Sequence, residues 1–154
     1  MDEIQGLPAG DPFLDAGINA SRVLTGIAVR SMSLTVPEAS LPAWRALWAL
    51  NDRGPMRPSQ LASALDMSAA TGTRVAAKLH REGFVDRYTD PNDRRNVLFA
   101  ITDKGYSTLA AAVANQRALY ARAFAELSEQ QKKELACAFE ALYAAAKDTG
   151  VLWP

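Results

Sequence analysis

The 154-residue chain has one cysteine, Cys137, and one histidine, His80. A lone cysteine excludes an internal disulfide framework and fits a reducing compartment, so a cytoplasmic location is expected. Without a Cys/His cluster there is no basis for a zinc site, and His80 reads as a helix-surface residue. No apolar run approaches the ~18 residues of a membrane span. The first residues lack the basic start and apolar stretch of a signal peptide. Net charge is also absent, with 17 basic and 17 acidic residues. No nucleophile with a base, phosphate-cradling glycine loop or close carboxylate pair stands out, so neither an enzyme nor a cofactor is expected.

What is present is an ordinary globular composition, 49% hydrophobic and 22% charged, enough to bury a core. The charge is polarised. Residues 1–52 hold three basic and six acidic groups, residues 53–95 eight and five, and residues 96–154 six of each. A basic middle segment permits nucleic-acid binding without requiring it.

Residues 1–10 read as a flexible arm and 11–154 as a single domain. Asp11 as N-cap and Pro12 at the first helical position open a first helix to about Ser33, with Phe13, Leu14, Ile18, Leu24, Ile27 and Met32 at three- and four-residue steps. Pro37 and Pro42 punctuate the next connection. Ser40 opens a second helix carrying Trp44, Leu47, Trp48 and Leu50, which stops at the turn Asn51–Pro55. Met56-Arg57 is a candidate third strand beside a later hairpin.

Pro58-Ser59 opens a short third helix, Gln60 to Leu65, with Leu61, Ala64 and Leu65 inward. After Asp66-Met67, Ser68 caps a fourth helix, Ala69 to Arg81, with Gly72, Val75, Ala76 and Leu79 inward, and Gly83 supplies its left-handed end. Phe84 to Tyr88 alternates as a half-buried strand should. A polar tip follows, and Asn96 to Ile101 returns as the second strand. The fifth helix starts at Thr102–Gly105, with Tyr106, Leu109, Ala110, Val113, Tyr120, Phe124 and Leu127 on one face. Ser128 and Gln131 form a capping box for the sixth, whose stripe is Leu135, Ala138, Phe139, Leu142, Tyr143 and Ala146 and whose end is Gly150. The fold class is therefore mostly α with a small antiparallel β-hairpin.

A short helix, a tight turn and a capped second helix can set that second helix into a DNA major groove. The outward face of the fourth helix shows Ala69, Ala70, Thr73, Arg74, Ala77 and Lys78. Small residues let the backbone approach base edges, and Arg74 can read guanine bidentately. The tip Asp90-Pro91-Asn92-Asp93-Arg94-Arg95 sets two arginines on a protruding ribbon, suited to the minor groove. Asp93 can pair with one and leave the other free. Each feature also has a plain alternative, a solvated helix face and a surface hairpin with a local ion pair.

From about Trp44 to Gly105 the chain resembles the MarR-type winged-helix regulators. The resemblance rests on Ser59-Gln60-Leu61-Ala62, on Ser68 through Leu79, and on Arg81-Glu82-Gly83-Phe84-Val85-Asp86-Arg87. It continues through the Asp90–Arg95 tip and closes with Ile101-Thr102-Asp103-Lys104-Gly105. It implies a winged helix-turn-helix lobe over residues 40–102, flanked by dimerisation helices over 12–36 and 103–150. The implied function is a homodimeric repressor of transcription on a near-palindromic double-stranded DNA operator, with no membrane partner. By analogy Ser68, Ala69, Ala70, Thr73 and Arg74 lie at the groove, Arg94 or Arg95 enters the minor groove beside Asn92 and Asp93, and Ser59 and Lys78 contact phosphate. Gly72 departs from the family pattern, which has a larger apolar residue there.

Many members of that family release DNA when a small aromatic or phenolic effector binds between the dimer helices and the lobe. Met32, Trp44, Trp48 and Tyr106, with Arg30 and Arg45 as anion partners, are the matching candidates here. Trp44 and Trp48, at helical spacing, also read as packing. Three alternatives stay open: a winged helix used for protein contact without specific DNA binding, a redox-sensing regulator through Cys137, and a small enzyme with a helical pocket.

Overall fold

The computed structural model describes residues 10–36 and 38–146. The arm before residue 10, Pro37, and the expected helix end at Gly150 lie outside the described residues. Among the described residues six helices and one hairpin follow in the order α1 (Pro12–Thr35), α2 (Leu41–Arg53), α3 (Pro58–Ala64), α4 (Ala69–Arg81), β1 (Val85–Thr89), β2 (Val97–Ile101), α5 (Asp103–Ala123) and α6 (Glu129–Ala146).

The sequence signals set most boundaries. Asp11 caps α1 by accepting the Phe13 amide, and Pro12 stands in the first turn. Residue 40 is the N-cap of α2, although its hydroxyl makes no capping bond, and α2 runs past Asn51 to Arg53 before Gly54 ends it. Ser68 caps α4 over the expected range. Gly83 follows with φ 76°, a conformation that costs a residue with a Cβ about 1–2 kcal/mol. Ser128 and Gln131 exchange both capping bonds, at 3.2 and 2.9 Å.

The core sits inside the lobe. Trp44, Leu47 and Leu50 of α2 meet Leu61 and Leu65 of the α3 segment, Leu79 of α4, Phe84, Val85 and Phe99 of the hairpin, and Leu109 of α5. The hairpin is antiparallel, pairing Val85 with Ile101 through Thr89 with Val97. Met56 adds the expected third strand as a single bridge to Phe99, with reciprocal bonds of 3.0 and 2.9 Å. α1 packs along α5.

Three expectations are corrected. The strands begin at Val85 and Val97, one residue later than expected, and β1 is not half-buried: after Val85, Asp86 to Thr89 are all exposed, so residues on both faces of the strand stand in solvent beyond its first position. On α5 the buried stripe is Gly105, Leu109 and Ala112, while Tyr106 is half exposed; small residues at Gly105 and Ala112 carry the close packing. The expected stripe of α6 is a separate matter: in the single chain α6 has no buried residue, and Leu142 and Tyr143 face outward.

Candidate nucleic-acid interface

α4 crosses the lobe against α3 at very short range. A Cβ added to Gly72 would stand 2.6 Å from the Ala62 Cβ and 3.0 Å from its Cα. Glycine is thus a packing requirement at this position. The opposite face of α4 is open: Ala69, Ala70, Thr73 and Arg74 are exposed, Ala77 and Lys78 half-buried.

The N-terminal turn of α4 is organised by hydroxyls. The Ser68 Oγ accepts from the Thr71 amide at 3.3 Å and lies 2.9 Å from the Thr71 Oγ1. That Oγ1 in turn accepts from Arg74 Nη2 at 3.2 Å, folding the guanidinium toward the start of the helix. Thr73 donates its hydroxyl to the Ala69 carbonyl, leaving its oxygen lone pairs as the outward functionality. Lys78 reaches the Glu38 carbonyl at 3.5 Å and the Glu82 carboxylate at 3.7 Å. Ser59 is exposed in the first turn of α3.

The C-terminal end of α4 is stitched to its surroundings. His80 Nδ1 lies 3.0 Å from the Val85 carbonyl, and Lys104 Nζ donates to the Glu82 carbonyl at 2.6 Å while covering the Phe84 ring at 4.5 Å.

The wing tip is built on two aspartates. Asp90, 5% exposed, accepts from Arg57 Nη2 and from the Asn92 amide, both at 2.9 Å. The Arg57 guanidinium, and then the Asn92 amide, hold its carboxyl below the ordinary range. Asp93 accepts from the Arg95 Nε at 3.2 Å, the Arg95 amide at 3.1 Å and Asn96 Nδ2 at 2.7 Å. The Arg95 side chain, followed by its amide, likewise lowers the Asp93 carboxyl. Asp93 therefore takes Arg95, and Arg94 makes no hydrogen bond or ion pair among the described residues.

The sequence reading missed Arg57 and Thr71. Thr71 stands three residues after an N-cap serine, a spacing that could have flagged it. Arg57 lies 33 positions from its partner, and no local pattern announces such a pair.

The effector candidates divide. Trp44 is buried in the core and its indole Nε1 has no hydrogen-bond partner among the described residues. Met32 and Trp48 pack against the same core, half-buried, and Arg45 is half-buried on α2. Arg30 and Tyr106 are exposed. One cleft of about 300 Å³ is lined by Val36, Glu38, Ala39, Glu82, Phe84 and Lys104, and none of the effector candidates lines it. Cys137 is an exposed free thiol on α6. Among the described residues no helix is long and apolar enough to cross a membrane.

Comparison with known proteins agrees with this geometry. Residues 39–97 match the model of the MarR family. The chain is 32% identical over 105 residues to the HTH-type transcriptional regulator Mb0904 of Mycobacterium bovis, covering 68% of this chain and 73% of that protein. It is 29% identical over 98 residues to the HTH-type transcriptional repressor IacR of Pseudomonas putida, covering 64% and 59%. The chain spans about half the length of several curated relatives it matches. Among solved structures, RV1404 of Mycobacterium tuberculosis superposes with a TM-score of 0.81 at 25% identity, over 93% of this chain and 98% of that one. With the capped α4, the hairpin behind it and the α1–α5 packing in the same order, this chain belongs to the MarR family of winged helix-turn-helix transcriptional regulators.

Proposed function

We propose that this chain is a homodimeric, DNA-binding repressor of transcription. The observation that carries the reading is Arg94: an arginine with no partner among the described residues, on a tip whose other arginine is tied down by Asp93. A free guanidinium on a narrow ribbon suits the negative potential of a minor groove. The exposed face of α4 would lie in the adjacent major groove, with Arg74 and Thr73 at base edges and the small Ala69 and Ala70 permitting close approach. Ser68 would lie at the groove with them, Ser59 and Lys78 would contact phosphate, and Asn92 and Asp93 would flank the minor-groove arginine.

A second copy of the chain supplies the other half-site. Phe13, Leu14 and Ile18 of α1 and Leu142 and Tyr143 of α6 are exposed in the single chain, and burying such residues against a symmetric partner removes them from water. Two lobes about one helical turn of DNA apart would then read a near-palindrome, roughly 34 Å between half-site centres. A small aromatic effector that releases the DNA is part of this reading. Its support is the Met32–Trp44–Trp48 cluster, where the Trp44 indole N–H lacks a partner among the described residues.

The test is a shift assay on DNA from upstream of the chain's own gene, run across a salt series. Arg94→Ala should weaken binding and flatten the salt dependence by a slope of about one. Arg95→Ala should act less, through the shape of the tip. Equal binding to all DNA, or an Arg94→Ala protein with unchanged affinity and slope, refutes the reading.

A further inference from the structure

We propose that Arg57 and Asp90 form a latch that sets the direction of the wing, making both of them positioning residues for Arg94. The inference rests on the DNA-binding reading above and deepens it.

Asp90 stands at the root of the tip and organises its first half. One carboxylate oxygen accepts the Asn92 amide at 2.9 Å. The backbone of Asp90 bonds to Asn96 across the loop, at 3.0 Å, and accepts from Asp93 at 3.2 Å. The other carboxylate oxygen leaves the hairpin altogether and takes Arg57 Nη2 at 2.9 Å. Because Asp90 is buried and anionic, it is unsuited to touching a phosphate itself. Any effect of Asp90 on DNA must pass through the tip it shapes.

Arg57 is anchored on the other side. It is the N-cap residue of α3, and its amide donates to Gln60 Oε1 at 2.9 Å. Its neighbour Met56 bridges Phe99 in both directions. The guanidinium therefore projects from a fixed backbone that belongs to the helix pair. The ion pair joins the frame carrying α3 and α4 to the loop carrying Arg94. A charge-assisted bond with one partner buried is directional, so it fixes the angle of the tip as well as its attachment. Among the described residues it is the one hydrogen bond or ion pair that ties residues 90–96 to the lobe outside the β1–β2 hairpin. Arg94 is exposed and makes no hydrogen bond or ion pair of its own among the described residues, so its aim is the aim of this loop.

The rival role for Arg57 is direct contact with phosphate, since its side chain is 39% exposed. Mutations at Asp90 separate the two roles. The full chain is assayed against a duplex from its own upstream region, with Arg57→Gln, Arg57→Lys, Asp90→Asn and Arg94→Ala alone and in pairs. Each variant is first checked for retained helix content. The latch predicts that Asp90→Asn and Arg57→Gln each weaken binding about as much as Arg94→Ala, on the order of tenfold. Pairing either with Arg94→Ala should add less than about twofold, the non-additivity of groups that act as one unit. Arg57→Lys should recover most of the affinity lost in Arg57→Gln. An Asp90→Asn protein that binds like the parent, or an Arg57→Gln loss that persists undiminished in the Asp90→Asn background, overturns the latch and makes Arg57 a phosphate contact.

A readout without DNA keeps the two proposals apart. In the free protein, the Asn92 and Asp93 amides should exchange at least about tenfold faster in Arg57→Gln and Asp90→Asn, and recover in Arg57→Lys. Unchanged exchange overturns the latch even where DNA binding holds. Faster exchange in a chain that binds no specific DNA supports the latch and overturns only the functional reading.

Discussion

Replacing Gly72 by alanine sets two effects of opposite sign against each other, and the structure decides between them. Helix propensity alone favours the change by about 1 kcal/mol, since glycine is a poor mid-helix residue. The space is missing, however. The new methyl would lie 2.6 Å from the Ala62 Cβ, 3.0 Å from the Ala62 Cα and 3.1 Å from the Pro58 carbonyl oxygen. Carbon atoms rest at about 3.5–4.0 Å, so α3 and α4 must part by about 1 Å. Two of the three obstructing atoms are backbone and the third is a rigid methyl, which leaves no rotamer to absorb the shift. Overpacking of this kind costs about 1–3 kcal/mol, and backbone obstruction puts this site toward the upper end. The net expectation is a loss of about 1–2 kcal/mol, or a melting point lower by about 2–8 °C for a chain of this length. Urea unfolding followed by circular dichroism, at one fixed protein concentration because association shifts apparent stability, measures it. Ala62→Gly as a second background removes the closest atom, and the penalty of Gly72→Ala should shrink there. A Gly72→Ala protein more stable than the parent by about the full propensity gain would refute the reasoning, because it would mean that α3 and α4 are not in contact at this point.

Two smaller perturbations test other joints. Ser68→Ala removes the cap of α4 and the hydroxyl that holds Thr71, and should cost about 1 kcal/mol in the same unfolding assay while loosening Arg74 from Thr71. Acid should act on the wing with a defined sign: Asp90 and Asp93 both titrate below their ordinary value of 3.8 in the folded chain, so their contribution is complete at neutral pH and is lost as pH falls through the region below 3.8. Urea midpoints measured down this range should fall more steeply for the parent than for Asp90→Asn; identical acid limbs would remove Asp90 from the account.

The parts of the fold that were legible in the sequence are those with local causes. Asp11-Pro12, Ser68, Gly83 and the Ser128–Gln131 box each announce a helix end within a few residues, and the structure places caps or ends there. The open question at the tip, which arginine Asp93 would hold, needed the geometry of the turn: the Asp93 carboxylate receives both the Arg95 amide and its guanidinium, a closed local ring that spacing alone does not select. Arg57–Asp90 was out of reach because its partners meet only after α3 and the hairpin have folded onto α2. α5 misled for a different reason. Hydrophobic periodicity marks a stripe without saying which surface covers it, so Tyr106 shares a face with the buried Leu109 in the sequence but stands half exposed in the structure. Leu109 is buried as its place in the stripe implies, and the small Gly105 and Ala112 complete the buried face.

The attachments of α4 at its two ends have a mechanical meaning. Near its start the helix is pressed methyl-close against α3 at Gly72. At its finish, His80 is bonded to the first strand and the Glu82 carbonyl to Lys104 of α5. A rod pinned at both ends neither slides along its axis nor rotates about it without breaking a pin. A rearrangement of the outward face of α4 would therefore carry the lobe as one body or break one of these contacts.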